Sequence, residues 1–256
     1  MSGVSLLEFS TNPYNAVVVD VDALPEDGDQ FAQRLDLSLD AWRDAQYGYV
    51  WLELPIAKSG FIPHAVEQGF HFHHSSRDYL MLGLKLREDV VELPFASHYI
   101  GAGGVVVSEA NDLLVIREKV QRDNRPRPFK LPGGYIHAGE HLADGVEREV
   151  WEETGIRAKF ESVACFRHWH ANRFGKSDFY FVCRLTPLSF EITLQEEEIT
   201  EARWMPVDEF LSRDDVYSFN QGIVKVALEQ KGMMSSWFDN YDQDRTTREI
   251  FMPSDS

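Results

Sequence analysis

One stretch of this 256-residue chain, from Gly134 to Ile156, carries acidic side chains at high density and is called the acidic box below. Leu142, Val146 and Val150 recur at every fourth position. This spacing predicts an amphipathic helix over roughly residues 140–153, with one apolar stripe that packs against the rest of a domain. Thr154-Gly155 then ends the helix, as glycine commonly does.

Three carboxylates are predicted to converge near the end of this helix. Glu149 and Glu153 are four positions apart and Glu152 lies beside them, so all three share one edge of the helix. Like charges at such spacing repel by roughly a few tenths of a kcal/mol per pair. A cluster of hard oxygen ligands favours Mg2+ or Mn2+ over zinc. The neighbouring Arg148 can neutralise and orient the same groups, whereas a generic charge run is more typical of a solvated helix face.

The spacing of these residues resembles the Nudix box, Gly-x5-Glu-x7-Arg-Glu-U-x-Glu-Glu-x-Gly-U, in which U is a bulky aliphatic residue. Every fixed position is filled, by Gly134, Glu140, Arg148, Glu149, Val150, Glu152, Glu153, Gly155 and Ile156. The resemblance to Nudix hydrolases implies an α/β/α sandwich with a central mixed sheet over residues 98–232. It also implies cleavage of a nucleoside diphosphate linked to another moiety, by water attack on phosphorus.

The same resemblance implies a role for each residue of the acidic box. The expected oxygen ligands of a bound Mg2+ or Mn2+ are Glu149, Glu153, Glu152 and the backbone carbonyl of Gly134. Glu152 is alternatively the catalytic base, and Arg148 orients the carboxylates. Glu140 is expected to anchor Arg148 or the loop before the helix. The residues expected to have a structural role in the box are Gly134, Glu140 and Gly155.

A general base outside the acidic box is common among proteins of this kind. The run Glu196–Glu198 precedes a predicted strand at 201–205 and offers three candidates. Glu198 is preferred because Glu-Ile before Ala-Arg-Trp recurs in the subfamily that this chain resembles. A solvated loop is the alternative reading of the run.

Four residues outside the acidic box are candidates for substrate binding: His168, His170, Lys176 and Arg127. The two histidines alternate along a predicted strand, so they share one face and either line a pocket or pack. The lysine, in the segment FGKSD, and the arginine, in a basic island with Arg122, Arg125 and Lys130, can meet or steer phosphate. Solvated surface residues are the alternative for both.

Residues 1–97 are predicted to form a separate small α/β domain, because strand and helix patterns alternate there. The order YVWLELP, a short helix, GFHFHH, YLML and a Leu-Pro linker resembles the pre-Nudix domain of one Nudix subfamily, which has an acetyltransferase-like fold. The glycine-rich pyrophosphate loop of a working acetyltransferase is absent, so an interaction or homodimerisation role is predicted. His71, His73 and His74 have no partnering cysteine, which favours packing and hydrogen bonding over metal binding.

Charge and composition exclude several classes of protein. The net charge is −17, and neither the part before Ser97 nor the part after it is basic, which disfavours nucleic-acid binding. No apolar run approaches the roughly 18 residues of a membrane span, and no secretory signal is visible. A cytoplasmic location is predicted, with an organelle or the nucleus left open. The acidic, polar residues 233–256 are predicted to form a mobile tail.

The leading functional hypothesis is a metal-dependent pyrophosphohydrolase for a nucleoside diphosphate derivative. Resemblance to the subfamily suggests ADP-ribose or NADH as the substrate. Oxidised nucleotides, CoA and diphosphoinositol phosphates are alternative substrates. A different class of answer is a catalytically quiet Nudix module that binds a nucleotide or a protein, and the intact acidic box argues against it.

Overall fold

The computed structural model of the chain describes residues 4–119, 127–170, 172–238, 240–241 and 244–253. Arg122 and Arg125 of the predicted basic island lie outside these residues. The chain divides into two compact units, Met1–Ala96 and Ser97–Ser256, and each is described by itself. Within the described ranges, no helix is both long enough and apolar enough to cross a membrane.

The described residues of the first unit form a five-stranded mixed sheet and two α-helices. The strands are β1 (Phe9–Thr11), β2 (Ala16–Val19), β3 (Tyr49–Pro55), β4 (His71–Ser75) and β5 (Tyr79–Lys85), in the order β1-β2-β3-β5-β4. The helices are α1 (Gly28–Asp44) and α2 (Ile62–Glu67), and a short 3-10 helix, Ile56–Phe61, precedes α2. β2 and β3 run parallel, whereas the other neighbouring strands are antiparallel.

One face of this sheet packs against its helices. Val50, Leu52 and Leu54 alternate along β3 and enter a core that also contains Leu35 and Leu39 of α1. Each of these side chains is almost fully buried, which contributes roughly 1.5–3 kcal/mol per residue. The alternation of apolar residues along β3 therefore determines which face of the sheet the helices cover.

In the described part of the second unit, a six-stranded sheet has the order β13-β12-β9-β10-β6-β8, and a two-stranded sheet pairs β11 with β7. The strands are β6 (His98–Val106), β7 (Asp112–Glu118), β8 (Gly133–Tyr135), β9 (Ala158–Trp169), β10 (Ser177–Pro187), β11 (Ile199–Pro206), β12 (Met233–Ser235) and β13 (Phe251–Pro253). The helices are α3 (Leu142–Thr154), α4 (Val207–Ser212) and α5 (Ser218–Glu229). β10 is parallel to β6 and antiparallel to β9, so the sheet is mixed.

Two helices cover opposite faces of the six-stranded sheet. Val182 and Cys183 are neighbours on β10 and therefore point to opposite sides. Val182 belongs to the core that contains Val224 of α5, and Cys183 belongs to the core that contains Val146 of α3. This arrangement is the α/β/α sandwich with a central mixed sheet that was predicted, and the fold class is confirmed.

The structure corrects the prediction of a mobile tail over residues 233–256. β12 pairs with β9 and β13 pairs with β12, so Met233–Ser235 and Phe251–Pro253, within the described part of this segment, belong to the six-stranded sheet. The Phe251 ring lies 5.5 Å from the Phe160 ring, between centroids, and packs against the core beneath α3. Strands of three residues leave too short an alternation to be recognised in a polar segment.

Candidate active site

α3 carries Glu149, Glu152 and Glu153 of the acidic box, whereas Glu140 lies in the loop before it. The helix ends at Gly155, whose φ of +71° is a left-handed conformation that glycine adopts without strain. A Cβ at this position would also lie 2.9 Å from the Thr193 Cβ, so space as well as conformation requires glycine. At its start, the N-cap residue His141 makes no side-chain capping hydrogen bond.

Arg148 is the centre of the acidic site. Its Nε and Nη2 donate to the two carboxylate oxygens of Glu140, at 2.7 and 2.9 Å. Its Nη1 donates to Glu149 Oε1 and Glu152 Oε2, both at 2.9 Å, and Nη2 also donates to the Tyr135 carbonyl at 3.1 Å. The hydrogen bonds from Arg148 lower the pKa of Glu140 to about 2. One guanidinium thus brings three carboxylates and the backbone of β8 together.

Glu153 lies apart from this array, in a buried position. Glu153 is only 6% exposed, and its Oε2 accepts a hydrogen bond from the Gly133 amide at 2.7 Å. Burial raises the Glu153 pKa to about 7, against the opposing effects of nearby Lys130 and of the Gly133 amide, and the charge of Glu149 adds to the rise. The carboxylate is therefore held where ionisation is costly without a further positive charge.

Glu149 approaches the backbone of β8 closely. A Cβ at Gly134 would lie 2.5 Å from Glu149 Oε2, closer than real Cβ contacts come. The absence of a side chain at Gly134 is therefore what allows this carboxylate to reach the strand. A glycine at this point of the acidic box has a steric reason as well as a possible role for its carbonyl.

The donor set fits a hard divalent cation. The carboxylates of Glu149 and Glu153 offer oxygen atoms, and burial, with a smaller contribution from the charge of Glu149, raises the Glu153 pKa. The three carboxylates do not meet at one point as predicted. Glu149 and Glu152 hydrogen-bond to Arg148, whereas Glu153 is buried apart from them. Within the described residues, no group of three or more His, Cys, Asp or Glu side chains is already arranged to hold a metal.

A cavity of about 230 Å3 adjoins Gly134 and contains residues that the sequence reasoning missed. Arg167 donates to Asp178 Oδ2 at 2.6 Å, and its guanidinium carbon lies 5.4 Å from the ring centroids of both Trp169 and Tyr180. Arg167 and Trp169 are two positions apart on β9 and therefore share the face opposite to His168. The alternation of side chains along this predicted strand was the signal that could have identified them.

His168 packs on the face of β9 opposite to Arg167, and His170 directly follows the strand. The His168 ring stacks on Phe179, with centroids 4.2 Å apart, and its Nε2 lies 3.0 Å from His98 Nε2. Partial desolvation and the neighbouring histidines lower the His168 pKa. His170 Nδ1 lies 3.2 Å from the Ser177 hydroxyl oxygen. Of the two readings of these histidines, the contacts favour packing over lining the cavity beside Gly134.

The remaining candidates lie in three different places. Lys176 Nζ lies 5.7 Å from the Tyr99 ring centroid, and Arg127 is exposed. Glu198 is exposed in the turn before β11, where its carbonyl accepts a hydrogen bond from the Lys119 amide at 2.7 Å. Among the described residues, no hydrogen bond or ion pair joins Glu198 to the carboxylates of the acidic box.

The missing N-cap of α3 is supplied from the end of the chain. Glu249 accepts hydrogen bonds from the amides of Leu142 at 2.5 Å and Ala143 at 3.3 Å. His141 Nε2 donates to the Arg245 carbonyl at 3.1 Å. A carboxylate at this position satisfies two of the free amides of the first turn and interacts favourably with the helix dipole.

We predict that Glu249→Ala lowers the free energy of unfolding by about 1 kcal/mol, the usual effect of losing an N-cap. Amide exchange at Leu142 and Ala143 should accelerate in the same variant. Urea unfolding and hydrogen-exchange mass spectrometry measure the two effects. Glu109→Ala, a change of an exposed glutamate in the turn before β7, is the matched control. Equal stability of the two variants would contradict the capping role.

The Glu153 pKa predicts how stability varies with pH in protein stripped of divalent metal. Because the folded state raises this pKa from 4.5 to about 7, it binds the proton more tightly than the unfolded state. Stability therefore falls as pH rises from about 4.5 to about 7, by up to roughly 3 kcal/mol. Glu153→Gln should remove this fall and be the more stable protein at pH 8, with Glu109→Gln as control. A wild-type stability as high at pH 8 as at pH 5 would refute it.

Both units of the chain match families of known proteins. Residues 7–86 match the family model of the Nudix hydrolase domain, and residues 98–225 match that of the NUDIX domain. The chain is 40% identical over 211 residues to Nudix hydrolase 8 of Arabidopsis thaliana, which covers 82% of this chain and 57% of that protein. It is 38% identical over 216 residues to Nudix hydrolase 2 of Arabidopsis thaliana, covering 84% and 77% of the two chains.

Two further similarities come from outside plants. The chain is 37% identical over 213 residues to Nucleoside diphosphate-linked moiety X motif 6 of Homo sapiens, covering 81% of this chain and 66% of that one. The solved structure of a NUDIX hydrolase from Nitrosomonas europaea has a TM-score of 0.46 and 20% identity, and covers 56% of this chain and 98% of that chain. This chain thus spans little more than half the length of the Arabidopsis Nudix hydrolase 8. The resemblance found in the sequence is confirmed, and the chain belongs to the Nudix hydrolase family of enzymes.

Proposed function

We propose that this chain is a metal-dependent pyrophosphohydrolase that cleaves a nucleoside diphosphate linked to another moiety. The observation that carries the proposal is the buried Glu153 carboxylate beside Glu149, with Arg148 hydrogen-bonded to the other acidic groups. The name of the human relative, which refers to a nucleoside diphosphate-linked moiety, supports the same substrate class. The alternative of a quiet binding module has no support from the acidic box, because all its fixed positions are filled.

Mg2+ or Mn2+ is the proposed cofactor. Glu149, Glu153 and the Gly134 carbonyl would hold it, and Glu152 is a third carboxylate ligand or the base. When bound, such a cation neutralises pyrophosphate charge and lowers the pKa of a bound water. Arg148 positions Glu149 and Glu152 through its hydrogen bonds, so that both carboxylates are held in fixed orientations. Glu140 in turn fixes Arg148 from the preceding loop.

ADP-ribose or NADH is the proposed substrate. The cavity beside Gly134 offers the rings of Trp169 and Tyr135 as flat surfaces for a base, and Arg173 as a cation for phosphate. Aromatic stacking and a guanidinium are the groups that bind a nucleotide of either kind. Neither group distinguishes ribose 5-phosphate from reduced nicotinamide mononucleotide, which are the expected second products, beside AMP, of ADP-ribose and NADH.

The substrate proposal is tested by a panel assay with Mg2+ and with Mn2+. ADP-ribose, NADH, CoA, dinucleoside polyphosphates, diphosphoinositol phosphates and oxidised deoxynucleotides are each followed for released AMP or phosphate. ADP-ribose or NADH should give the highest kcat/KM. A higher value for another member would transfer the assignment to that substrate, and no turnover of any would favour a binding module.

A homodimer formed through residues 1–97 and a cytoplasmic location also remain proposals. The mass of the full chain in solution, compared with that of residues 98–256, tests the homodimer. Localisation of a tagged full chain in cells tests the cytoplasmic location.

Two glutamine variants separate the metal ligand from the base. Glu153→Gln should lower kcat by about 10²-fold or more and should abolish the increase in thermal stability that Mn2+ gives the wild type. Glu152→Gln should lower kcat to a similar degree. It should keep the Mn2+ stabilisation if Glu152 is the base and lose part of it if Glu152 is a ligand.

The control for both variants is Asp144→Asn, which changes an exposed carboxylate on the same helix. It should retain near wild-type turnover and Mn2+ stabilisation. Wild-type turnover by Glu153→Gln at saturating metal would refute the assignment of that carboxylate.

A further inference from the structure

The sheet of the first unit has a second face, opposite to α1 and α2. Because side chains alternate along a strand, Tyr49 and Trp51 of β3 point away from the core that Val50 and Leu52 enter. The rings of Tyr49 and Trp51 lie 4.6 Å apart between centroids. Tyr49 is nevertheless only 3% exposed, so this aromatic face is covered by another part of the chain.

The covering part is the segment 90–94. His71 Nε2 donates to Glu92 Oε1 at 2.6 Å, and His73 Nε2 donates to the Leu93 carbonyl at 2.7 Å. Two histidines of β4 thus hold the segment over the sheet. This is the hydrogen-bonding use of the histidine cluster that its lack of cysteine partners indicated.

A cavity of about 530 Å3 lies between this segment and the sheet. Its volume is in the range of small-molecule sites, which are mostly apolar with a few polar groups. Three aromatic side chains line it, those of Tyr14, Tyr49 and Trp51, together with the carboxylate of Glu92. All of its lining residues are described, and none of them is Lys, Arg or His.

The charge of the cavity selects against anions. The hydrogen bond from His71 lowers the Glu92 pKa, so this carboxylate is ionised at neutral pH. Burial raises the Tyr49 pKa, so its phenol stays neutral. The chain before Ser97 contains 15 acidic and 6 basic residues, which adds to the negative potential. A phosphate or pyrophosphate group would meet repulsion here and no cationic partner.

The same features attract a weakly hydrated cation. The faces of tryptophan and tyrosine rings carry negative electrostatic potential, and quaternary ammonium groups are bound in this way. A nitrogen that carries alkyl groups instead of N–H bonds gives up fewer hydrogen bonds to water when it enters an aromatic site. An ionised carboxylate among the rings supplies the counter-charge.

We propose that this cavity binds a small organic cation whose charge lies on an alkylated nitrogen, a quaternary ammonium or an N-alkylpyridinium. The cationic group would lie against the half-buried ring of Trp51, with Glu92 as its counter-ion and Tyr14 at the exposed side. Such a site is separate in chemistry from the phosphate-cleaving site, because it offers no group that holds phosphate.

The test compares a cation with a neutral molecule of the same shape. Choline and 3,3-dimethylbutan-1-ol differ mainly in the charged nitrogen, and N-methylpyridinium and toluene form a second pair. Titration calorimetry on the full-length protein should show that each cation binds about tenfold or more tightly than its neutral partner. Equal affinities within both pairs, or no binding of either cation, would overturn the proposal.

Variants locate the binding in this cavity. Glu92→Gln keeps an acceptor for His71 but removes the charge, so choline affinity should fall about tenfold towards that of the neutral alcohol. Glu88→Gln makes the same change of net charge on an exposed residue nearby and should leave the affinity unchanged. Equal affinity of the Glu92→Gln and Glu88→Gln proteins for choline would overturn the assignment.

Tyr14→Leu provides a variant that leaves the core intact, because Tyr14 is 86% exposed. It should weaken choline binding several-fold without changing the urea midpoint of unfolding. Unchanged choline affinity would remove Tyr14 from the site and refute the aromatic enclosure. Binding is measured directly in every case, so these outcomes do not depend on whether the second unit hydrolyses a pyrophosphate.

Discussion

The guanidinium of Arg148 is the group on which the acidic site depends. It donates to Glu140, Glu149, Glu152 and the Tyr135 carbonyl, and so ties together a loop, a helix and a strand edge. Arginine suits this position because its fork of donors is planar and stays charged at any physiological pH. A lysine would offer a single ammonium point and could not pair both oxygens of Glu140 while it reaches the other two carboxylates.

Glu153 shows what happens to a carboxylate that this guanidinium does not reach. The packing of α3 on the sheet buries it, and one amide hydrogen bond does not offset the cost of its charge. The carboxylates that pair with Arg148 share its positive charge within the protein. Among the residues that the structure describes, Glu153 lacks such a partner, and this difference is why we propose a divalent cation beside it.

The pairing of Arg148 with Glu152 was predictable because it is local. The fixed positions of the acidic box fall within 23 consecutive residues, and helical spacing places Arg148 beside Glu152, four positions on. The N-cap of α3 was not predictable, since Glu249 lies 107 positions after Leu142. The pairing of Arg167 with Asp178 likewise depends on the register of β9 against β10, which no local pattern reveals.

The difference between local and long-range determinants also explains which strands and helices were predictable from the sequence and which were not. The alternating strand β3 and the helix α3 carry enough repeats for their periods to be read, whereas β12 and β13 contain three residues each and lie in polar sequence. β12 is held in place by pairing with β9, and β13 by pairing with β12 and by the packing of Phe251 on Phe160. Tertiary contacts therefore decide the structure wherever an element is too short to show a period of its own.

Glu92 and Glu153 have different environments, and for this reason we propose a different kind of cation for each site. A hydrogen bond from His71 lowers the Glu92 pKa and leaves its charge among aromatic rings, which suits an organic cation that brings no hydrogen-bond demand. Burial raises the Glu153 pKa beside another carboxylate, which suits a small divalent ion that binds several oxygens at once. Net charge alone predicts only that this chain attracts cations. The ring faces around Glu92 and the oxygen neighbours of Glu153 are the features on which the two proposals of cation type rest.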